Sequence, residues 1–573
     1  MAEDGHQHTY ISENALLPGQ VHTYFGGSEQ QIFNAYRHEI EDVTGKDQNT
    51  ISAKLREIFE SAGLKPATQN FQYQAAGNTY KGQNVYAVLR APRGDATEAV
   101  VLTAAWENMD NKLNSYGVTL VLTLGRYFSR WSLWSKDIII LITSDSRAGP
   151  QAWVDAYHDE QPSSSVEPLS IKSGALQGAI VIDLANSHRF ESIHIVYDGI
   201  NGQLPNLDLI NTAVSVASGQ MGIGIVLQRM WHHEDSYLER LETMLRGMAN
   251  QAVGLSAGSH GSFFPYHVDA ITLQTVGDGP QDEMAMGRVV ESIFRSLNNL
   301  LEHFHQSFFF YLLMQADRFV SIGTYLPSAM LVAMNFSIMA IALWIRSGRP
   351  KRPSMASTIP AKGSKTEVEI VQTDGLIAVA PKQSVKVVER HLLIPLVLVF
   401  SAHFLGLFPL YLFNNISRDT FDAIFAPFTA LSMGLPTVFA LRTEGHISNQ
   451  HHTLTLCFSL LLLGMFLATL ATLNFSLSLF VGLLATPLSF IPCLQGEEES
   501  DVPRTRKAFY SVVIAVVSPP SVLWVISAIS KTGVVDILTQ AAFGWTVNGM
   551  RTQVIVWCVW WPAWLVSSVL VAI

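Results

Sequence analysis

His260 stands in "AGSHGSFFPY" (257–266), Asp183 closes the apolar run "QGAIVIDL" (177–184), and Asp145 follows "DIIILIT" (137–143) within "SDSRAG". Histidine and carboxylate side chains at strand ends are the donors that hold zinc, and two-zinc hydrolysis also needs a base to activate the shared water. Such a site takes a His-x-Asp after one strand, a bridging Asp before the next helix, a Glu-Glu pair, a further Asp and a final His. The chain offers only part of that set. "AAWEN" (104–108) has no histidine after its strand, "MDNKLNS" (109–115) puts Asp110 or Asn114 at the bridging place, and "SDSRAG" has no Glu pair. Asp145 and Asp183 therefore read first as capping or loop carboxylates, and His260 as a remnant of the last ligand. No cofactor is expected; zinc is the one metal the pattern would suit, and its ligand count falls short.

Other candidates carry less. His232-His233 are adjacent, so they point in different directions and are expected in a solvated loop before the helix "DSYLERLETML". Ser259 precedes His260, but no G-x-S-x-G elbow surrounds the pair, which argues against a serine hydrolase. Cys457, Cys493 and Cys558 all fall in apolar runs, so the first 320 residues hold neither disulfide nor thiol nucleophile. The net charge of −10 comes with no basic patch, and nucleic acid is not expected as a partner.

The elements that must place these residues alternate in kind. Strands are expected at Asn84–Arg90 and Ala99–Thr103, as neighbours across the turn "APRGD", and at Asp137–Thr143, Gln177–Leu184, Ile193–Tyr197 and Ala270–Val276. Helices are expected at Asn114–Phe128, Ala152–Tyr157, Leu207–Val216, Tyr237–Ala249 and Arg288–His305. That alternation implies an α/β three-layer sandwich around a mostly parallel sheet over residues 1–320.

From Ile322 the pattern changes to apolar runs long enough for a bilayer. Seven spans are expected: Ile322–Ile345, Leu392–Phe413, Phe421–Leu441, Thr453–Leu473, Phe475–Leu494, Phe509–Ile529 and Val554–Ile573. The division is 1–320 for the α/β domain, 321–346 for the first span, 347–391 for a polar, partly disordered loop, and 392–573 for the multi-span part. Lys and Arg crowd the loop after the first span (Arg346 to Arg390) and the loop holding Arg504, Arg506 and Lys507. Those loops are expected in the cytosol, with the first 320 residues across the membrane. Asn415-Ile416-Ser417 would then be a glycosylation sequon on the far side. That placement also calls for a membrane segment ahead of the α/β domain, expected outside this sequence.

Two intramembrane features stand out. His403 in "VLVFSAHFLGLF" is read as a hydrogen-bonding residue between helices. In "VIVWCVWWPAWLVSSVLVAI", Pro562 removes a helix hydrogen bond amid Trp557, Trp560, Trp561 and Trp564. The tryptophans suit either an interfacial belt or a cleft for a lipid headgroup or a partner helix. A transporter is disfavoured, since no inverted repeat is evident.

Stretches running in order along the chain resemble the Gaa-type subunit of glycosylphosphatidylinositol (GPI) transamidase. They are "HTYISENALLPGQV", "NVYAVLRAPRGDATEAVVLT", "WSKDIIILITSD", "AWVDAYHD", "DGINGQLPNLDLIN", "GSHGSFFPYHVDAITL", "LNNLLEHFHQSFFFYLL" and "RFVSIGTYLP". The resemblance implies a multi-pass endoplasmic reticulum membrane subunit whose luminal domain has an aminopeptidase-like fold depleted in metal ligands. It implies that a separate cysteine-protease subunit performs the transamidation. This chain would then help bind and present the GPI glycolipid and the C-terminal signal of the proprotein. A proline in the family's last span is associated with GPI recognition and corresponds by position to Pro562, which makes Trp557, Trp560, Trp561, Pro562 and Trp564 the candidate lipid-binding residues. The family also carries a membrane segment ahead of "HTYISENA". The alternative is an active metal-dependent aminopeptidase-like or amide-bond-forming membrane enzyme.

Overall fold

The computed structural model describes residues 7–184, 188–301, 304–305, 309–348, 368–373, 376–381, 388–443, 448–493 and 504–572. A two-residue strand, β1 (Gln7–His8), precedes helices α1 (Gly27–Val43) and α2 (Gln48–Ser61), the latter capped by the Asp47 carboxylate. Then come β2 (Pro66–Ala75), β3 (Asn78–Leu89), β4 (Glu98–Glu107), α3 (Ser115–Ser129), β5 (Asp137–Asp145), α4 (Ala148–Tyr157), β6 (Ala175–Asp183) and β7 (Arg189–Val196). The domain is completed by α5 (Leu207–Val214), β8 (Gly224–Val226), α6 (Tyr237–Val253), β9 (Ala270–Asp282), α7 (Glu283–Asn298), β10 (Tyr311–Gln315) and β11 (Arg318–Ser321).

Eight strands form one sheet in the order β2-β3-β5-β4-β6-β9-β7-β8. Its centre is parallel, β5 with β4, β4 with β6 and β6 with β9, whereas β2 with β3, β3 with β5 and β9 with β7 are antiparallel. β3 and β4, expected as neighbours, are separated by β5. The apolar run 138–142 has both faces to bury, and only an interior place offers that. Val100, Leu102, Ile138 and Ile140 join one core with α1, α2, α3 and α7, while Val101, Ile139 and Leu141 join another with α4. The sheet is thus covered on both faces, as three layers require. α1, α2 and β2 were not expected, although "TGKD" (44–47), "AGLKP" (62–66) and "AGN" (76–78) mark their boundaries. β10 pairs with β11, and β11 with β1, in a separate small sheet.

The apolar half begins with α8 (Ile322–Ser347). The loop after it, expected to be partly disordered, contains a hairpin of β12 (Val368–Thr373) and β13 (Leu376–Pro381); its remainder lies mostly outside the described residues. Next are α9 (Leu393–Leu405), α10 (Leu407–Asn415), α11 (Arg418–Thr443), α12 (Asn449–Leu473), α13 (Phe475–Ala485), α14 (Arg504–Val516), α15 (Pro519–Ser530), α16 (Val534–Val547) and α17 (Thr552–Ala572). Five membrane-length apolar helices match expected spans: α8, α9 with α10, α11, α12 and α17. The expected sixth span is a pair, α14 and α15, bent by 60°. Pro519 and Pro520 lack the N–H groups that would continue the helix, and Ser518 caps the new one. The expected fifth span is an 11-residue helix, α13, that passes into a tight 3-10 segment at Thr486-Pro487.

α16 was not anticipated as an element. It lies between the two halves: Phe543 and Val547 enter the core of the α/β domain, with Phe543 and Tyr80 rings 4.7 Å apart. Arg418 pairs with Asp536 at its other end (2.8 Å). Three bundle loops meet the α/β domain nearby. Arg418 N–H donates to Ala76 carbonyl at 2.8 Å, Asn474 Nδ2 donates to the carbonyls of Asn201 (3.0 Å) and Gln251 (2.9 Å), and Arg551 N–H donates to Asn201 Oδ1 (2.7 Å). The far ends of the helices gather around Arg390, whose Nε donates to Ser347 Oγ at 3.1 Å. The α/β domain and the described ends of the basic loop, Ser347 and Arg390, are therefore at opposite ends of the bundle.

Asn474→Ala leaves two carbonyls in this seam without donors and should cost roughly 2–3 kcal/mol. Limited proteolysis of the full chain in detergent should show earlier cleavage around 199–203 and 250–256, with the α/β core still resistant. Unchanged cleavage at the seam would contradict this account.

Candidate functional site

A polar cavity of about 390 Å³ opens where the parallel strands β4 and β6 end, walled by β7, β9, α6 and the segment Ala257–Ser259. Ligands of α/β sheets gather at such carboxyl ends. Asp183 lines it, accepting from Asn108 Nδ2 at 3.3 Å to each oxygen and from Gln274 Nε2 at 3.0 Å. Asn114, at the bridging place, is buried and donates through Nδ2 to the carbonyls of Ala105 (3.1 Å) and Ile182 (2.9 Å), while its Oδ1 accepts from Leu184 N–H (2.8 Å). The amide thus ties the ends of β4 and β6 together. A carboxylate there could not donate to either carbonyl.

His260 is fully buried in a 3-10 segment, Ser259–Tyr266. Its Nε2 is 3.0 Å from Asp198 carbonyl, which can only accept, so Nε2 carries the proton. Its Nδ1, 2.8 Å from Thr272 Oγ1, accepts the hydroxyl proton. A Cβ at Gly258 would strike both His260 Nδ1 and Thr272 Oγ1, so only glycine fits over this pair. Burial pushes the imidazole pKa down to about 4, leaving it neutral.

Asp145 is turned to the start of α4, where its Oδ1 accepts from the N–H groups of Arg147 (2.7 Å), Ala148 (2.6 Å) and Gly149 (3.3 Å). Asp110, also on the cavity wall, is 4.0 Å from Arg229. Among the described residues, no three His, Cys, Asp or Glu side chains lie close enough to hold a metal ion. The residues present do not fit a two-zinc set, because His260 and Asp145 already serve hydrogen bonds within the fold.

Several cavity residues escaped the sequence reading. His194 lies inside an apolar strand; its Nδ1 donates to Gln274 Oε1 (3.1 Å), its Nε2 accepts from Arg229 N–H (3.3 Å), and burial lowers its pKa to about 4. Asp198, buried, accepts through Oδ2 from Gln228 Nε2 (2.8 Å) and Asn250 Nδ2 (3.2 Å), and burial raises its pKa to about 6. It directly follows the strand-like run 193–197, so the carboxyl-end rule could have found it. His232 and His233 lie in the loop before α6, as expected, and α6 opens with a reciprocal Ser236–Glu239 cap.

In the bundle, all four tryptophans around Pro562 are buried and form no exposed belt. Trp557 lies between Phe413 (5.3 Å) and Phe428 (5.7 Å), Trp561 donates to Ser432 Oγ (2.9 Å), and Trp564 donates to Ile514 carbonyl (2.7 Å). The turn before Pro562, Ile555–Trp560, is a π-helix, with Trp561 N–H reaching Val556 carbonyl. A proline ring needs room at the preceding turn, and the widened turn supplies it. His403 Nδ1 bonds Val399 carbonyl in its own helix at 2.8 Å. Asn415, exposed at the end of α10, donates to Tyr411 carbonyl (2.8 Å), and Ser417 of its sequon packs on the Gly77 turn. Cys457 is buried and Cys558 half-buried on the π turn; the Cys493 side chain lies outside the described residues.

Residues 81–568 match the model of a family described as Gaa1-like, GPI transamidase component. The chain belongs to this family. It is 32% identical over 497 residues to the GPI transamidase component gaa1 of Schizosaccharomyces pombe, covering 84% of this chain and 77% of that protein. It is 38% identical over 352 residues to GPI transamidase component GAA1 of Saccharomyces cerevisiae, covering 60% of this chain and 54% of that protein. Among solved structures, Fimbriiglobus ruber glutaminyl cyclase aligns with 48% of this chain and 97% of its own, at 11% identity and TM-score 0.34. A zinc aminopeptidase from Bacillus subtilis aligns with 39% and 50%, at 11% identity and TM-score 0.24. Both TM-scores are low, and the sheet topology above stands by itself. As a family member, the chain is a GPI transamidase subunit, and among its described residues are five helices long and apolar enough to cross a membrane.

Two measurements test the site. Asn114→Asp places a carboxylate against two carbonyl oxygens and should cost roughly 2–4 kcal/mol in thermal unfolding of the full chain. His260, whose folded pKa lies below its unfolded value of 6.5, contributes stability that is complete above pH 6.5 and lost as pH falls toward 4. The stability gap between the parent and His260→Gln should therefore narrow over that window, by up to about 3 kcal/mol. A gap independent of pH would show that the ring is not held neutral.

Proposed function

We propose that this chain is a non-catalytic subunit that binds and presents the GPI glycolipid and the proprotein C-terminal signal, while a cysteine-protease subunit performs the transfer. The carrying observation is the bonding of His260, whose two ring nitrogens serve Thr272 and the Asp198 carbonyl and leave no lone pair for a metal. Asn114, donating to two carbonyls at the bridging place, supports the same reading of a metallopeptidase-like domain converted to another use. The protein would be a multi-pass endoplasmic reticulum subunit. Its α/β domain would be luminal, because it sits at the opposite end of the bundle from the Lys- and Arg-rich loop.

In the bundle, Pro562 and the tryptophans Trp557, Trp560, Trp561 and Trp564 would act on the lipid by shape. The π turn and the buried indoles hold α17 against α10, α11 and α14, and so fix the walls that a lipid meets. Pro562→Leu, which restores a backbone donor beside a turn widened for proline, should lower surface display of GPI-anchored proteins while the subunits still co-purify. Normal display would refute this role. Stoichiometric zinc in the purified full chain would instead favour an active metalloenzyme.

A further inference from the structure

We infer that α6 is an interfacial helix, whose exposed leucine flank, with Phe309 and Phe310 beside it, enters the acyl boundary of the lipid leaflet around the α/β end of the bundle. This placement rests on the multi-pass reading proposed above, and it gives the α/β domain a lipid-binding surface of its own.

The side chains of α6 change in order around its circumference. At about 100° per residue, with Met244 taken as the origin, Met248 lies at about 40°, Leu241 at about 60° and Ala252 at about 80°. Leu245 and Leu238 follow at about 100° and about 120°. Met244 and Met248 are buried, Leu241 and Ala252 half-buried, and Leu245 and Leu238 are 45% and 74% exposed. Charge begins only beyond them, with Glu242, Arg246 and Glu239 at about 160–220°. Arg246 lines the polar cavity on that far side. The apolar arc therefore runs without a break from the packed side of the helix onto its open side.

The helices beneath fix the level of this arc. Met244 and Met248 share an apolar cluster with Tyr325 and Ala329 of α8, Ala471 of α12 and Phe475 of α13, and Leu241, Leu326 and Met330 lie on its rim. A hydrocarbon core takes roughly 20 helical residues. Counted from Arg346 at the far end of α8, that length ends near Leu326; counted from His452 on α12, it ends near Thr472. Two helices of opposite direction thus put the lipid boundary at the cluster itself. Ile322 N–H donates to the Phe310 carbonyl at 3.1 Å, and Phe309 and Phe310 are exposed. Their level is about 6 Å above Leu326, within the headgroup layer.

The leaflet around α8 is the nearest apolar phase, and it covers these leucines without any further partner. Charge shows how it holds them. α6 carries Glu239 and Glu242 against Arg240 and Arg246, and Glu234 and Asp235 precede it. No cationic face draws the helix to anionic lipid, so apolar area holds it and zwitterionic lipid suffices.

The test is nitroxide power saturation on the full chain in phosphatidylcholine nanodiscs, in a background of Cys457→Ala, Cys493→Ala and Cys558→Ala. Single labels are placed at Leu238→Cys, Leu245→Cys and Phe309→Cys. Glu242→Cys is the water-facing control, and Ile338→Cys, on the exposed side of α8, is the lipid control. The ratio of oxygen to nickel-chelate collisions should be about fivefold higher or more at the two leucine sites and Phe309 than at Glu242→Cys. It should hold when about a third of the lipid is phosphatidylserine. Ratios equal to that of Glu242→Cys would put the flank in water, and exclusion of both reagents would mean that a second copy of the chain covers it. Either result overturns the inference, as does a high ratio seen only with phosphatidylserine. The same labels should keep their ratios in the complex purified with its partner subunits; loss of oxygen contact there would overturn the lipid surface in favour of a protein partner. Should one variant not fold, the other two still decide. A water-like ratio at Ile338→Cys would instead overturn the multi-pass reading, and with it this placement, so the two failures are distinguishable.

Discussion

One left-handed residue, Asn201, carries three of the hydrogen bonds that join the two halves of the molecule, beside the contacts of α16, Ala76 and Gln251. Asn201 sits at φ 58°, which turns its side chain and its carbonyl toward the bundle together. The side chain bonds Gly549 carbonyl and Arg551 N–H, and the carbonyl accepts from Asn474. Asparagine tolerates this conformation better than most residues because its short amide can bond locally. Gly202, also at positive φ, lies so close to the Asn474 amide that no side chain fits. The stretch "NGQLPNLDL" is therefore distinctive for a physical reason: its first residues form the seam, and Asn206 then caps α5 by accepting from Asp208 N–H at 2.9 Å.

Around the cavity the polar side chains are ordered by hydrogen bonds to one another and to the backbone. Metal ligation asks for lone pairs aimed at one point; hydrogen bonding asks for donors and acceptors aimed at each other. At Asn114 an amide bonds two strands that a carboxylate would push away, and at His260 both nitrogens are turned outward to Thr272 and Asp198. Each such bond stabilises the domain by an amount that metal binding would have to recover.

The strongest legibility was in the strands. The runs 137–143 and 177–184 are continuously apolar because both faces are covered, and each was found within two residues of its ends. Sheet order was not legible, since insertion of β5 between β3 and β4 is set by long-range packing. Of the cavity, Asp183 was visible because it ends an apolar run, whereas His194 and Gln274 were hidden inside strands whose pattern is otherwise apolar; His260, buried outside the cavity lining, was visible as the one histidine in a small-residue turn before an aromatic cluster. The tryptophans near Pro562 read equally as an interfacial belt or a cleft, because composition cannot distinguish an indole facing lipid from one facing Phe413 or Ser432. α16 was missed because a 14-residue helix interrupted by Asp536 and Gln540 is too short to span a bilayer, and the sequence did not suggest a helix lying between two halves.

The π turn in α17 has a geometric consequence for how that helix is read. One residue is added to a turn, which advances the helical phase by about 100° relative to an unbroken α-helix. Residues Thr552–Val554 and Trp561–Ala572 are therefore not on a common helical wheel. Gln553 before the widened turn meets Asn414 of α10, whereas Trp561 after it meets Ser432 of α11, a change of neighbour that simple seven-residue spacing would misplace. The same 21-residue segment can thus address two sets of partners without bending.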